Sequence, residues 1–296
     1  MTDSTKNKAQ FSIGIDIGGT KMSAVLFDLE KKEIISDYKL STPIDNFDKF
    51  LVMLYALIDP LVEKAKKDKL KIGHIGIGVA GMIDQPTEKN LEGKILKCPN
   101  IEILNNQSLG KLIFNKYKIN TSLDNDANCF LRAETNLGSV KNTANAIGVT
   151  LGTGIGGAIS IDNKVYQGVH GSAGEIGHMI VDVIEDTPHT LEEIYHNLTQ
   201  ANPQGLAEEA YEGDKLATKV YEELGHLIGI ALANVVNLFD PEVIVIGGGV
   251  MQSSDLFMTE LKKSLKEEII SPKLKKIKVL PAKLENSGAI GAALLS

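Results

Sequence analysis

Thr150-Leu151-Gly152-Thr153-Gly154-Ile155-Gly156-Gly157 contains glycines at 152, 154 and 157, the spacing G-x-G-x-x-G of a dinucleotide-binding turn. Such a turn needs a helix directly after its glycines, because the pyrophosphate rests on the helix N-terminus. The next residues are instead Ala158-Ile159-Ser160-Ile161-Asp162-Asn163-Lys164-Val165-Tyr166. Apolar and polar residues alternate there and then turn at Asp-Asn, which predicts a β-hairpin. The stretch is therefore read as strand, glycine loop, strand, with Thr150 and Thr153 as hydroxyl donors.

A second loop of the same kind lies upstream. Gly14-Ile15-Asp16-Ile17-Gly18-Gly19-Thr20-Lys21 places an acid at a strand end, then two glycines, then a hydroxyl and the start of another strand. Glycine lets backbone N–H groups approach an anion closely. Asp16 suits a hard cation such as Mg²⁺, held directly or through water. An ordinary β-turn with a satisfied Asp16 is the competing reading. Gly18, Gly19, Thr20 and Lys21 on one loop and Gly152, Thr153 and Gly154 on the other are the expected ATP contacts, closing on one polyphosphate from opposite sides. Gly247, Gly248 and Gly249 come after a buried-type strand and offer a wall free of side chains for adenine or ribose. Taken alone, this cluster is read first as a tight strand–helix connection.

Around these loops the pattern alternates strands and helices. Strands are expected at 11–16, 22–28, 33–40, 74–79, 146–151, 158–161, 243–246 and 277–280. Helices are expected at 47–67, 108–117, 125–137, 214–239, 256–268 and 288–295. Residues 168–205 read as irregular with one short helix near 191–198, and residues 1–10 as a loose tail. Two halves emerge, with a break near 120–125.

The chain has 296 residues, 43% of them apolar, enough for one large or two ordinary domains. Its formal charge of -7 argues against a nucleic-acid surface, which is normally basic. Two cysteines, Cys98 and Cys129, give neither a disulfide framework nor metal spacing. No apolar run reaches a membrane span, and the polar N-terminus has no signal core, so a soluble cytoplasmic protein is expected.

Taken in order, Gly14–Lys21, Gly76–Asp84, Asn125-Asp126-Ala127-Asn128, Thr150–Gly157, Ala173-Gly174-Glu175-Ile176-Gly177-His178-Met179 and Ile246–Val250 resemble the ROK family (repressors, open reading frames, kinases) of the actin, sugar kinase and chaperone ATPase superfamily. The resemblance implies an α/β chain of two actin-like (ribonuclease H-like) domains with an interdomain cleft that closes on its substrate. The domains are expected over 1–122 plus 283–296, and over 123–282. It implies transfer of phosphate from ATP to a hexose or N-acetylhexosamine hydroxyl, the 6-hydroxyl, with Asp126 as catalytic base. Gly81, Asn125, Glu175, His178 and Glu192 are the implied sugar-binding residues. ATP and Mg²⁺ are the implied cofactors, and a homodimer the implied assembly, with neither nucleic acid nor membrane as partner.

Independent chemistry supports those assignments. A sugar hydroxyl needs alignment, phosphate charge neutralisation and a carboxylate to take its proton. Asp126 at a helix N-terminus is kept ionised by the helix dipole. Plain N-capping by Asn125 and Asp126, and a satisfied surface pair of Glu175 and His178, are the competing readings. The chain departs from the family in one segment. Residues 180–194 read IVDVIEDTPHTLEEI, without the three cysteines that join the His of G-E-I-G-H at the family's zinc site. Zinc is therefore not expected, and Leu191, Ile194 and Tyr195 are expected to pack in its place. Only 15 residues precede Asp16, which disfavours a repressor with an N-terminal DNA-binding domain. A non-catalytic sugar sensor or partner-binding protein on the same scaffold remains as the alternative.

Overall fold

The structure is a computed structural model that describes residues 10–84 and 93–295. The expected tail over 1–10 lies outside the described residues except for Gln10. The chain divides into two compact units, Met1–Leu137 with Gln167–Ser172 and Leu284–Ser296, and Gly138–Tyr166 with Ala173–Lys283.

The first unit opens with β1 (Phe11–Ile17), β2 (Lys21–Asp28), β3 (Glu33–Ser41), α1 (Phe47–Lys67) and β4 (Ile72–Val79). A small hairpin of β5 (Met82–Asp84) and β6 (Lys94–Lys97) comes next, then α2 (Leu109–Tyr117), β7 (Asn120–Asn125) and α3 (Asp126–Asn136). The main sheet has the order β3-β2-β1-β4-β7. Its first three strands pair antiparallel, while β1–β4 and β4–β7 are parallel.

Alternation along β2 assigns its two faces. Ala24 and Leu26 join the core formed with Phe50, Leu54, Ile58 and Leu61 of α1. Val25 and Phe27 point the other way, into a cluster with Ala133 of α3. Helix α1 forms because its apolar residues repeat on one face and Asn46 caps its start by accepting from the Lys49 N–H at 2.9 Å.

The second unit repeats the plan. It contains β8 (Ala146–Leu151), β9 (Ile155–Ile161), β10 (Lys164–Val165), β11 (Ile180–Ile184), β12 (Thr187–Thr190), α4 (Leu191–Thr199), α5 (Pro203–Tyr211), α6 (Lys215–Phe239), β13 (Val243–Gly247), α7 (Met258–Glu268) and β14 (Lys278–Pro281). Its main sheet has the order β10-β9-β8-β13-β14, again antiparallel over the first three strands and parallel over the rest. The chain then returns to the first unit as α8 (Ser287–Ala293). Gly14 and Gly76 leave no side chain between the first sheet and the α8 backbone, so this small-residue helix lies flush on the strands.

Several expectations change. The boundary moves from 122/123 to 137/138, because β7 completes the first sheet and α3, continuing from it, packs on α8. Residues 168–205, read as irregular apart from one short helix near 191–198, hold that helix as α4 and in addition the β11–β12 hairpin and the start of α5. Asn120–Asn125 carries no strand pattern of its own and yet forms β7, a polar strand whose partner β4 supplies the pairing. The G-x-G-x-x-G stretch is a hairpin as expected, with Gly157 inside β9 and no helix after it. Among the described residues, no helix is long and apolar enough to cross a membrane. Cys98 and Cys129 are both buried and free.

Candidate active site

In the first unit the β1–β2 turn is closed by the Gly18 N–H donating to the Lys21 carbonyl at 3.0 Å. Thr42, just past β3, extends the pairing. Its N–H donates to the Thr20 carbonyl at 3.0 Å and its hydroxyl to the Gly18 carbonyl at 2.7 Å. Thr20 and Lys21 stay exposed at the tip, and Gly18 and Gly19 are half-buried.

Asp16 stands at the end of β1, against the backbone of Gly288 in the first turn of α8. Burial, and second the Asp126 carboxylate, push its carboxyl up to about 7 from the ordinary 3.8. Asp126 is the first residue of α3, where the helix dipole favours an anion. Asn125 is the N-cap. Its Oδ1 accepts from the N–H groups of Ala127 at 2.9 Å and Asn128 at 3.3 Å, and its Nδ2 donates to the Gly81 carbonyl at 3.3 Å. The capping reading of Asn125 is thus realised, and the same side chain ties α3 to Gly81.

Beneath this turn is a group that sequence reading missed. The fully buried Asp124 carboxylate accepts from Asn128 Nδ2 at 2.9 Å and Arg132 Nη2 at 2.6 Å. Asp124 ends a strand and Arg132 lies on the helix after it, so no single periodicity aligns them. The charge of Arg132 on the helix is the one signal the sequence offers.

In the second unit the β8–β9 loop is held by α4. Glu192 Oε2 accepts from the Ile155 N–H at 2.6 Å, Tyr195 Oη donates to the Gly152 carbonyl at 2.6 Å, and His196 Nε2 lies 2.7 Å from the Thr153 carbonyl. Within the loop the Gly152 N–H donates to the Gly154 carbonyl at 3.0 Å. Burial pushes the Tyr195 hydroxyl up, so it remains a donor at neutral pH. A side chain at Gly154 would collide with the Glu192 carboxylate, whose oxygen lies 2.5 Å from where its Cβ would sit.

Glu175 precedes the short 3-10 turn over Ile176–His178 and His178 ends it, with His178 Nε2 and Glu175 Oε2 3.9 Å apart. Burial raises the Glu175 carboxyl above its usual range, His178 lowers it, and Glu192 raises it again. These three candidate sugar ligands therefore share one neighbourhood. Gly248 takes φ 96°, and its backbone lies against Leu151. That contact, with Gly247 opposite Thr150 in the β8–β13 pairing, sets the third glycine cluster beside the second loop. The chain continues from it as a 3-10 segment over Gly249–Leu256, so the tight-connection reading also holds there.

Candidate residues thus fall into two groups. Asp16, Gly18, Gly19, Thr20, Lys21, Gly81, Asn125 and Asp126 belong to the first unit, and Gly152, Thr153, Gly154, Glu175, His178, Glu192, Gly247, Gly248 and Gly249 to the second. Among the described residues, no three His, Cys, Asp or Glu side chains stand together as a metal site. Residues 180–194 contain no cysteine, so they cannot supply the three thiolates of a zinc site of one histidine and three thiolates.

A repeated antiparallel–parallel sheet with a glycine hairpin in each copy defines a class of protein, and comparison narrows it. The ROK family profile matches residues 12–192 and 189–296, and the chain belongs to that family. It is 30% identical to an N-acetyl-D-glucosamine kinase of Histophilus somni, over 95% of this chain and 97% of that one. It is 26% identical to a xylose repressor of Caldicellulosiruptor bescii, over 94% of this chain and 75% of the repressor. The crystal structure of a ROK family glucokinase from Streptomyces griseus, in complex with glucose and AMPPNP, superposes with a TM-score of 0.78 at 27% identity, covering 97% of this chain and 99% of that chain.

Proposed function

We propose that the protein is an ATP-dependent sugar kinase that phosphorylates the 6-hydroxyl of a hexose or N-acetylhexosamine. The observation that carries this reading is the pairing of two carboxylates in the first unit. Asp126 sits on the first turn of α3, and Asp16 at the end of the glycine-loop strand is close enough to feel its charge.

Asp126 takes the proton of the acceptor hydroxyl while its oxygen bonds to the γ-phosphorus. The bond from that phosphorus to the β–γ bridging oxygen breaks, and ADP leaves with the electron pair. Asn125, with Gly81 at its side, fixes the start of α3 and hence the base. Glu175, His178 and Glu192 supply acceptors and donors for the remaining hydroxyls. Gly19–Lys21 and Thr153–Gly154 supply backbone and hydroxyl donors for phosphate oxygens, Gly18 and Gly152 close their own turns through their N–H groups, and Gly247–Gly249 offer a flat wall for the nucleoside. The Asp16 carboxylate offers the oxygen ligands that Mg²⁺ prefers, and an ion held there with the nucleotide would neutralise phosphate charge.

The glucokinase and N-acetylglucosamine kinase relatives support this substrate class. A panel of hexoses and hexosamines in an ADP-release assay tests it. Turnover of one sugar, lost in Asp126→Asn with sugar binding retained, is the expected result. Silence across the panel overturns it. Similarity to a xylose repressor favours a second reading, a non-catalytic sugar sensor. That reading expects sugar binding by calorimetry, no turnover, and no change in Asp126→Asn.

A further inference from the structure

The side chains of α4 do more than pack. A trans peptide is planar, with its C=O and N–H pointing in opposite directions. The Gly152 carbonyl shares a plane with the Thr153 N–H, and the Thr153 carbonyl shares the next plane with the Gly154 N–H. Tyr195 Oη holds the first carbonyl at 2.6 Å and His196 Nε2 the second at 2.7 Å. Both N–H groups are thereby turned away from α4, and neither has an acceptor among the described residues. The third plane is reversed. Its Ile155 N–H goes to Glu192 at 2.6 Å, and its Gly154 carbonyl accepts from the Gly152 N–H at 3.0 Å. Three consecutive peptide planes are fixed, the first two presenting adjacent donors. Adjacent outward N–H groups form a concavity that binds anions.

The helix that does this is itself anchored. Thr190 and Glu193 form a reciprocal capping box at its start. Leu191 and Tyr195 are buried in the core of the second unit. Glu192, Tyr195 and His196, spaced three and four apart, face the loop from one side.

We propose that Tyr195 and His196 are positioning residues for nucleotide phosphate, orienting the N–H groups of Thr153 and Gly154 as a two-donor anion cradle. The proposal rests on the kinase reading. His196 acts as a donor through Nε2–H, and its hydrogen bond, like that of Tyr195, polarises the peptide so that the opposite N–H donates more strongly.

Calorimetry of ATP, adenosine and the turned-over sugar on the full chain tests it, with Tyr195→Phe, His196→Leu and His196→Gln. Tyr195→Phe and His196→Leu are expected to weaken ATP binding by about tenfold each, the loss of one hydrogen bond aligning a charged ligand. Adenosine and sugar affinities are expected to stay at the parental value, and His196→Gln, which keeps a donor, to recover ATP binding. Parental ATP affinity in both Tyr195→Phe and His196→Leu overturns the cradle while leaving the kinase reading intact. A parallel fall in ATP, adenosine and sugar affinity also overturns it, since a general structural defect acts on all three. Absence of ATP binding by the parent chain overturns both readings.

Discussion

The two glycine hairpins share one strand plan and are supported in opposite ways. The first, Gly18–Lys21, is held by its own sheet: a turn closed over three residues, and Thr42 continuing the pairing of β3. The second, Gly152–Gly154, is held by side chains of a helix about forty positions downstream, through Glu192, Tyr195 and His196. The loop supported by its ladder depends on backbone pairing and one side-chain contact, the Thr42 hydroxyl on the Gly18 carbonyl. A loop supported by a helix depends on three particular side chains and on the packing that aims them.

The largest effect expected from breaking this symmetry is chemical, because the proposed base belongs to the unit with the self-supported loop. Asp126→Asn should lower kcat by about 10²–10⁴-fold. Rapid-quench measurement of sugar phosphate should show this with ATP affinity retained.

Next is a pH effect at the same place. Asp16 carries a carboxyl raised to about 7 from 3.8, so the folded chain holds this proton more tightly than the unfolded chain. Stability from this group is complete below 3.8 and is lost as pH rises through about 7. Without Mg²⁺ and nucleotide, Asp16→Asn should therefore exceed the parent by roughly 2–4 kcal/mol near pH 8. The gain should shrink toward pH 4, and thermal unfolding across that range checks it. A gain independent of pH would mean that burial and the Asp126 charge do not raise the Asp16 carboxyl.

Arg132→Leu probes the floor under the first site. It leaves the buried Asp124 charge without its partner and should cost about 3 kcal/mol, read by urea unfolding. Adding Asp124→Asn should recover part of that loss.

The smallest effect sharpens the comparison directly. A Cβ at Gly154 would stand 2.5 Å from Glu192 Oε2, whereas one at Gly152 meets nothing within 4 Å. Gly154→Ala should weaken ATP binding by about tenfold through loss of loop alignment. Isothermal titration of ATP reads it.

Much of this was legible in the residues. The hairpin at 150–166 came from alternation after the glycines, and α1 from its apolar repeat and Asn46 cap. The polar strand β7 was not legible, because its pairing with β4 comes from outside its own pattern. Nor was the Asp124–Arg132 pair, which joins a strand end to a helix face. The segment 168–205 looked irregular because its hairpin strands are short and largely exposed, so neither shows the apolar run of a core strand.

By itself, then, the chain of residues determined the local periodicities, the glycine turns, the order of motifs and the missing zinc cysteines, since each is written over a few consecutive positions. Tertiary structure alone decided that α3 belongs with the first sheet, that Asp16 feels Asp126, and that Glu192, Tyr195 and His196 grip the second loop. Those outcomes depend on which distant segments share a core, and burial and charge act through space rather than along the chain.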